Sequence, residues 1–257
     1  MKKILIVEDQ PEIREFLPAK GETKHRVGFI SGCVMNQIFV DTNLATVRVL
    51  NENGCDVVIP SRQTCCGALH VHNGDYETAV KLAMQNIQAF DLDELDAIVI
   101  NSAGCGATLK EYDVLMQHQS SDYRKKAALF CAKMVDVSKF LGSIDFVPPQ
   151  GDISRRVTYD EPCHLVHGQQ VRNEPRFLLR SIPGLELIEL QESEWCSGSA
   201  GIYNITQPEM SKQILERKME HITNTGAEIV ATGNHGCNMR PRSVSYTHLT
   251  LPTSDLV

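Results

Sequence analysis

The sequence has no apolar run approaching the roughly 18 residues that cross a bilayer as a helix, which excludes a span of that kind. A secretion signal is not expected from the opening residues. Met1-Lys2-Lys3-Ile4-Leu5-Ile6-Val7 is too short for a signal core and runs straight into Glu8 and Asp9. Basic residues are outnumbered, 25 Lys and Arg against 32 Asp and Glu, and no cluster of positive charge stands out, which argues against a nucleic-acid partner. Cys-x-x-Cys is absent, so thiol–disulfide exchange has little support. Collagen-like, low-complexity and strongly disordered compositions are absent too. What remains is a chain of 257 residues, 42% apolar, long enough for one large domain or two modest ones around a buried core. It reads as soluble and cytoplasmic.

Nine cysteines, an odd number, fit a full disulfide framework poorly. In a reducing compartment thiols are more often free, metal-bound or catalytic. Six of them form two sets in step. Cys33, Cys65 and Cys105 recur as Cys163, Cys196 and Cys237, at offsets of 130, 131 and 132. Their neighbours keep the register: Cys65-Cys66-Gly67-Ala68 faces Cys196-Ser197-Gly198-Ser199, and Ala103-Gly104-Cys105 faces His235-Gly236-Cys237. Val27 and Phe29 face Val157 and Tyr159. Such self-similarity is the signature of an internal duplication.

Each half reads as alternating strands and helices. Strands are expected over 26–31, 56–60 and 97–100, and again over 156–160, 185–190 and 228–232. Val40, Leu44, Val47 and Leu50 share a helical face that Asn53-Gly54 can end, and Asp75 can cap a helix bearing Val80, Ala83, Met84 and Ile87. A further helical stripe carries Ala127, Phe130, Cys131 and Met134. Pro208 suits the first turn of a long helix and Gly226 its stop. Alternation of this kind predicts an α/β fold of two duplicated units with mainly parallel sheets, joined by the linker 147–151. Each cysteine of the repeat then falls just past the C-terminal end of a strand, where loops of open parallel sheets converge on ligands. A free cysteine is ordinarily a small buried hydrophobe; the repeat and the flanking glycines favour a site instead.

Converging thiolates can hold zinc or an iron–sulfur cluster. Structural zinc usually takes close Cys-x2-4-Cys knuckles, whereas these cysteines lie about 30–40 residues apart except for Cys65-Cys66. Adjacent cysteines reach different irons of a cluster more readily than one small ion. Gly32, Gly67, Gly104 and Gly106 would let amides approach the sulfides. An iron–sulfur cluster is favoured over zinc.

These motifs resemble the cysteine-rich CCG domains of heterodisulfide reductases and of lactate- and glycolate-oxidising complexes. Cys65-Cys66-Gly67-Ala68-Leu69-His70, Asn101-Ser102-Ala103-Gly104-Cys105, Gly201-Ile202-Tyr203-Asn204, Gln207-Pro208-Glu209-Met210 and Thr232-Gly233-Asn234 together look like the C-terminal half of a glycolate oxidase iron–sulfur subunit. The resemblance runs over residues 25 to 239. It implies a 4Fe-4S type cluster, with zinc as the alternative, ligated by Cys33, Cys65, Cys66 and Cys105 and by Cys163, Cys196 and Cys237. It implies electron transfer from flavin-containing glycolate oxidase subunits to an acceptor, within an oxidoreductase complex in which this chain is not catalytic alone. Peripheral association with the inner membrane would come through that complex. The second reading is a zinc-stabilised, non-redox module that docks a flavoprotein.

Three departures stand out. The upstream Cys-x-x-Cys-x-x-Cys runs of the family are missing, Ser102 and Asn234 stand where some relatives carry a cysteine, and Ser197 replaces the second cysteine of the second pair. A complete cluster is therefore expected in the first half. The division expected is a foreign or truncated segment over 1–24, repeats over 25–146 and 152–240, and an artefactual tail over 243–257. Residues 3–9 resemble the first strand of a response-regulator receiver, and the tail resembles translated adapter read-through. Among other candidates, His164, His167, His235, His70 and His72 adjoin the cysteines, and Trp195 is expected to shield the site. Cys55 and Cys131 are expected in the core, Asp91, Asp93, Glu94 and Asp96 on a solvated connection, and 198–201 as the turn after Cys196.

Overall fold

Val27 and Phe29 of strand β2 (His25–Ile30) face one apolar cluster and Ile30 the opposite one, all at most 2% exposed. In strand β4 (Ala97–Ile100) the alternation is complete: Ala97 and Val99 join the first cluster, Ile98 and Ile100 the second. Burial on both faces is what a central strand of a parallel sheet requires. The computed structural model, which describes residues 15–242, pairs these strands side by side and parallel. Gly28 completes the pattern. A Cβ there would lie 2.8 Å from ring atoms of Phe90 and 2.9 Å from Leu95, so the strand has no room for a side chain on that face.

The first sheet has the order β1-β3-β2-β4-β5, where β1 is Phe16–Leu17, β3 Cys55–Val58 and β5 Met134–Asp136. All pairs are parallel except β1 with β3. The helix Val40–Glu52 ends at Asn53, and Gly54 follows at φ +76°. Asp75 caps the helix Tyr76–Ala89 by accepting from the Thr78 N–H at 3.2 Å, a contact worth about 1 kcal/mol. Pro208 opens the helix Pro208–Asn224 and Gly226 follows it at φ +61°.

One expected element is corrected. The helix bearing Ala127, Phe130 and Cys131 spans Ser121–Lys133, and Met134 does not extend its stripe. Met134 is extended (φ −73°, ψ 124°) and begins β5, a short strand parallel to β4. The chain turns out of the helix there because Asp136 caps the next one, Val137–Leu141, by accepting from the Ser138 N–H at 2.8 Å.

The second sheet is all parallel, with the order β7-β6-β8 (Glu186–Ile188, Arg156–Tyr159, Ile229–Ala231). This repeats the β3-β2-β4 core of the first. Val27 sits between Val57 and Ala97, and Val157 between Leu187 and Ile229. Strand order and register therefore carry the duplication seen in the cysteines. The second sheet has no described counterparts of β1 and β5. Residues 16–20, which the sequence sets apart with the N-terminal segment, hydrogen-bond to the first half: Ala19 N–H donates to Asp56 Oδ1 at 2.8 Å and Lys20 N–H to Asn51 O at 2.9 Å. The receiver-like stretch 3–9 and the tail 243–257 lie outside the described residues.

The halves are packed together at two places. Away from the strand ends, Lys139 pairs with Glu174, and Phe146 meets Phe177 edge-on at 6.0 Å between centroids. At the strand ends, the helix Ala103–Leu109 lies against the π-helical turn His164–Gly168, and Ala103, Leu165 and Val171 form one small buried cluster. Gln169 Nε2 donates to Ala103 O at 3.0 Å, and Ala103 N–H to Gly233 O at 3.1 Å. A Cβ on Gly106 would lie 2.5 Å from Gln169 Nε2, so a side chain there would have to displace that amide from Ala103 O.

Candidate cysteine-lined metal centre

Cys33 follows β2 on a turn opened by Gly32 at φ +66°, and it is exposed. Its thiol donates to Cys65 Sγ at 3.7 Å. Cys65 and Cys66 lie between β3 and the short helix Ala68–His72, where Gly67 is left-handed (φ +82°) and its N–H donates to Cys65 Sγ at 3.5 Å. Cys105 enters from the helix Ala103–Leu109 and exchanges a hydrogen bond with Cys66. The four sulfurs thus form a chain of neighbours, Cys33–Cys65–Cys66–Cys105, at the carboxyl ends of three strands. Among the described residues no group of three or more His, Cys, Asp or Glu is gathered tightly around one point in the manner of a single bound ion.

The chain shares its protons unevenly. The Cys65 thiol is pulled below its ordinary range because its sulfur accepts from Cys33 and Cys66, and then from the Gly67 N–H, against the opposing effect of burial. Cys33 is pushed up as donor to Cys65, and Cys66, whose single proton serves Cys105 or Cys65, is pushed up as well. Cys105 is pulled down, its sulfur held by Cys66 and by the Ser102 hydroxyl.

The pair Cys65-Cys66 is held rigidly from behind. Asn86, 1% exposed, accepts from the Thr64 N–H at 2.7 Å and donates to Cys65 O and to the Tyr112 hydroxyl, both at 3.0 Å. Tyr112, fully buried, donates to Cys66 O at 2.9 Å. Both carbonyls of the cysteine pair are therefore fixed by side chains that themselves cannot turn.

In the second half Cys163 exchanges a hydrogen bond with Cys196, which pulls Cys196 down and pushes Cys163 up. The N–H groups of Gly198, Ala200 and Ser199 turn toward Cys196, Gly198 at 3.2 Å. Residues 198–201 are thus the turn after Cys196, as expected, and their amides serve a sulfur. Gly198 is left-handed (φ +84°), and a Cβ there would stand 2.5 Å from Ser211 O. Burial pushes the Cys237 thiol up to about 12, with Asp160 adding to it; its sulfur accepts from Asn234 Nδ2 at 3.5 Å. Ser197, 1% exposed, has a hydroxyl beside the Cys237 sulfur and no nitrogen or oxygen partner.

The other candidates separate clearly. Cys55 is fully buried among Val27, Val57 and Leu50, and Cys131 packs on the opposite core while donating to Leu109 O at 3.5 Å. His164 Nδ1 lies 3.6 Å from Cys163 Sγ, and its ring stacks on His72 across the halves at 6.1 Å. His235 Nδ1 is 3.0 Å from the Ser102 hydroxyl, whereas His167 is exposed and His70 pairs with Asp75. Trp195 is 52% exposed under the Arg217 guanidinium, and with Arg217 it walls a cavity of about 220 Å³ that reaches Cys196. Asp96 accepts from the Arg26 N–H at 2.7 Å and Glu94 pairs with Arg26, as a connection before a strand does.

Two features escape a reading of the sequence by motif. Asn234 spans the two centres: its Oδ1 accepts from the Gly104 N–H at 3.1 Å and the Ser102 hydroxyl at 3.4 Å, while its Nδ2 donates to Cys237. The signal for it was its place opposite Ser102 in the repeat. The second is Asp160, buried with Lys218 at 3.0 Å, both 2% exposed; burial pushes its carboxyl up to about 6 although Lys218 opposes the shift.

A duplicated parallel α/β scaffold that collects thiols at matching strand ends defines a two-domain cysteine-rich protein. The chain belongs to the cysteine-rich domain family CCG, whose model matches residues 27–110 and again 157–240. It is 45% identical over 86% of its length to the "Probable glycolate oxidase iron-sulfur subunit" of Bacillus subtilis, covering 50% of that protein. It is 30% identical to the "Glycolate oxidase iron-sulfur subunit" of Escherichia coli, over 87% of this chain and 55% of that one. "Lactate utilization protein A" of Oceanobacillus iheyensis is 33% identical over 83% of this chain and 87% of its own. The chain thus spans about half the length of the glycolate oxidase relatives. The residues present fit an iron–sulfur cluster: four neighbouring thiols in the first half, with amides turned toward sulfur in both halves.

Proposed function

We propose that the chain is the cluster-bearing part of an iron–sulfur electron-transfer subunit in a glycolate-oxidising complex, taking electrons from a flavoprotein partner and passing them to an acceptor. The observation that carries this reading is the run of four neighbouring thiols at the carboxyl ends of parallel strands, Cys33, Cys65 and Cys66 on loops and Cys105 in the first turn of the helix that follows its strand. Relatives named as iron–sulfur subunits support the cofactor class.

A cluster of the 4Fe-4S type, when bound, supplies reversible one-electron storage. Cys33, Cys65, Cys66 and Cys105 would hold it in the first half, and Cys163, Cys196 and Cys237 would hold a second in the other. The protein's own part is to set the charge balance. The Gly67 N–H on Cys65 and the Gly198, Ser199 and Ala200 N–H groups on Cys196 stabilise thiolate charge, which favours the reduced state of whatever those sulfurs ligate. Asn86 and Tyr112 keep the Cys65-Cys66 backbone from relaxing as charge changes. Cys33, the exposed thiol, marks where a partner approaches. No helix among the described residues is long and apolar enough to cross a membrane, so in this reading any attachment to the inner membrane comes through partner subunits on the cytoplasmic side.

Anaerobic purification followed by iron and sulfide analysis tests the reading. The expected result is a brown protein that contains both and bleaches on reduction, with Cys65→Ser losing the larger share. A colourless protein holding zinc and no sulfide would replace it with the non-redox docking module.

A further inference from the structure

The second centre has three thiols where the first has four, and two buried oxygens of the same half lack a partner. Ser197 Oγ and Asp160 Oδ2 are both buried without a nitrogen or oxygen partner; the Ser197 hydroxyl neighbours the Cys237 sulfur, and Asp160, at the end of its strand and three residues before Cys163, is close enough for its charge to raise the Cys237 thiol. An orphaned carboxylate oxygen in a protein interior is costly and calls for a compensating partner.

Comparison of the halves shows how this arose. Ser197 corresponds to Cys66, Asp160 to Ile30 and Lys218 to Asn86, at the offsets of the repeat. In the first half Ile30 packs in the same apolar cluster as Cys66 and Cys105. The scaffold therefore stands without an ion pair at this place. Where the thiol is lost, a carboxylate takes the place of Ile30 and a lysine that of Asn86. Lys218 spends its three protons on Asp160 Oδ1 at 3.0 Å and on Glu192 O and Ser193 O, both at 2.9 Å. It thus anchors one carboxylate oxygen and leaves the other free. A serine hydroxyl must lose a proton to become an anionic ligand, whereas the carboxylate is already an anionic donor, and iron accepts carboxylate oxygen.

We propose that Asp160 Oδ2 is the fourth protein ligand of the second centre, giving it three thiolates and one carboxylate. This rests on the iron–sulfur reading above. No proton or electron moves on ligation; an oxygen lone pair fills one coordination position on iron.

The full chain, reconstituted anaerobically with iron and sulfide, tests it by Mössbauer spectroscopy and by electron–nuclear double resonance with carboxylate-labelled aspartate. The wild type is expected to show one oxygen-ligated iron subsite and coupling to the aspartate label, both lost in Cys163→Ser and kept in Cys65→Ser. Asp160→Asn is expected to weaken iron binding at the second centre about 10–100-fold or more, the scale of losses around metal sites. Asp160→Cys should retain iron with an all-thiolate spectrum. A wild-type second centre that holds iron without aspartate coupling overturns the proposal. So does a wild-type chain with iron at the first centre alone, and so do Asp160→Asn and Lys218→Met variants that lower the melting temperature equally while leaving the spectrum unchanged. A wild-type chain with no iron at either centre overturns the iron–sulfur reading beneath it.

Discussion

Asn86→Leu is the sharpest test of how the first cysteine loop is held. The side chain lies 1% exposed inside the helix Tyr76–Ala89 and serves three groups: the Thr64 N–H, Cys65 O and the Tyr112 hydroxyl. Leucine has a similar volume and so leaves little cavity, but it satisfies none of them. A buried polar group left without a partner costs about 1–3 kcal/mol; the Tyr112 hydroxyl keeps Cys66 O, so the Thr64 N–H and Cys65 O together give a loss of about 2 kcal/mol at the low end. For a chain of this size that corresponds to about 4–8 °C in melting temperature. Urea unfolding of the full chain measures it as a lower midpoint at unchanged slope. Lys81→Ala, on the same helix, breaks only an exposed pair with Glu77 and should change stability by about 0.5 kcal/mol or less. Because Asn86 and Tyr112 share a hydrogen bond, Asn86→Leu and Tyr112→Phe should together cost less than the sum of the two. A loss under about 1 kcal/mol for Asn86→Leu, or strict additivity with Tyr112→Phe, refutes the reasoning.

Ser197→Cys restores a thiol at a buried position beside Cys237 and should raise iron per chain after anaerobic reconstitution; unchanged iron and sulfide would show that position 197 does not face the metal. Gly106→Ala places a methyl 2.5 Å from Gln169 Nε2, so it should break the Gln169–Ala103 hydrogen bond and lower stability by about 1–3 kcal/mol, read as a shifted urea midpoint. Cys55→Ala and Cys131→Ala remove thiols that belong to the two apolar cores, and iron per chain should stay at the wild-type level even though the melting temperature falls.

The duplication was legible because it is written in residue types with little freedom. Cysteines at strand ends and glycines at left-handed turns, such as Gly67 and Gly198, keep their spacing in sequence and their φ in the structure. Strand β2 was legible from the alternation of Val27 and Phe29, β4 as a short apolar run, and the Asp75 cap from its position before an amphipathic stretch. Strand β5 was not, since three residues are too few for a period and Met134 continues the preceding helical stripe by chance. The supports of the site were hidden for another reason. Asn86 and Tyr112 act over 21 and 46 residues of chain, and a lone Asn or Tyr carries no spacing that marks it, whereas Asn234 was marked by its place in the repeat but its bridging role was not. Asp160 could have been found by setting the two halves side by side and asking where a charge replaces an aliphatic residue.

The seam between the halves has a consequence for how their differences could arise. The segments that meet there, 101–106 and 233–237, occupy corresponding places in the two repeats, as in an isologous interface between identical subunits. A single-copy unit presenting that face would pair with its own twin, and every substitution would fall on both sides at once. Such a dimer could not exchange a cysteine for Ser197 at one centre while keeping Cys66 at the other. Joining the copies in one chain removes that constraint, so each centre can be altered while its neighbour stays fixed as the reference.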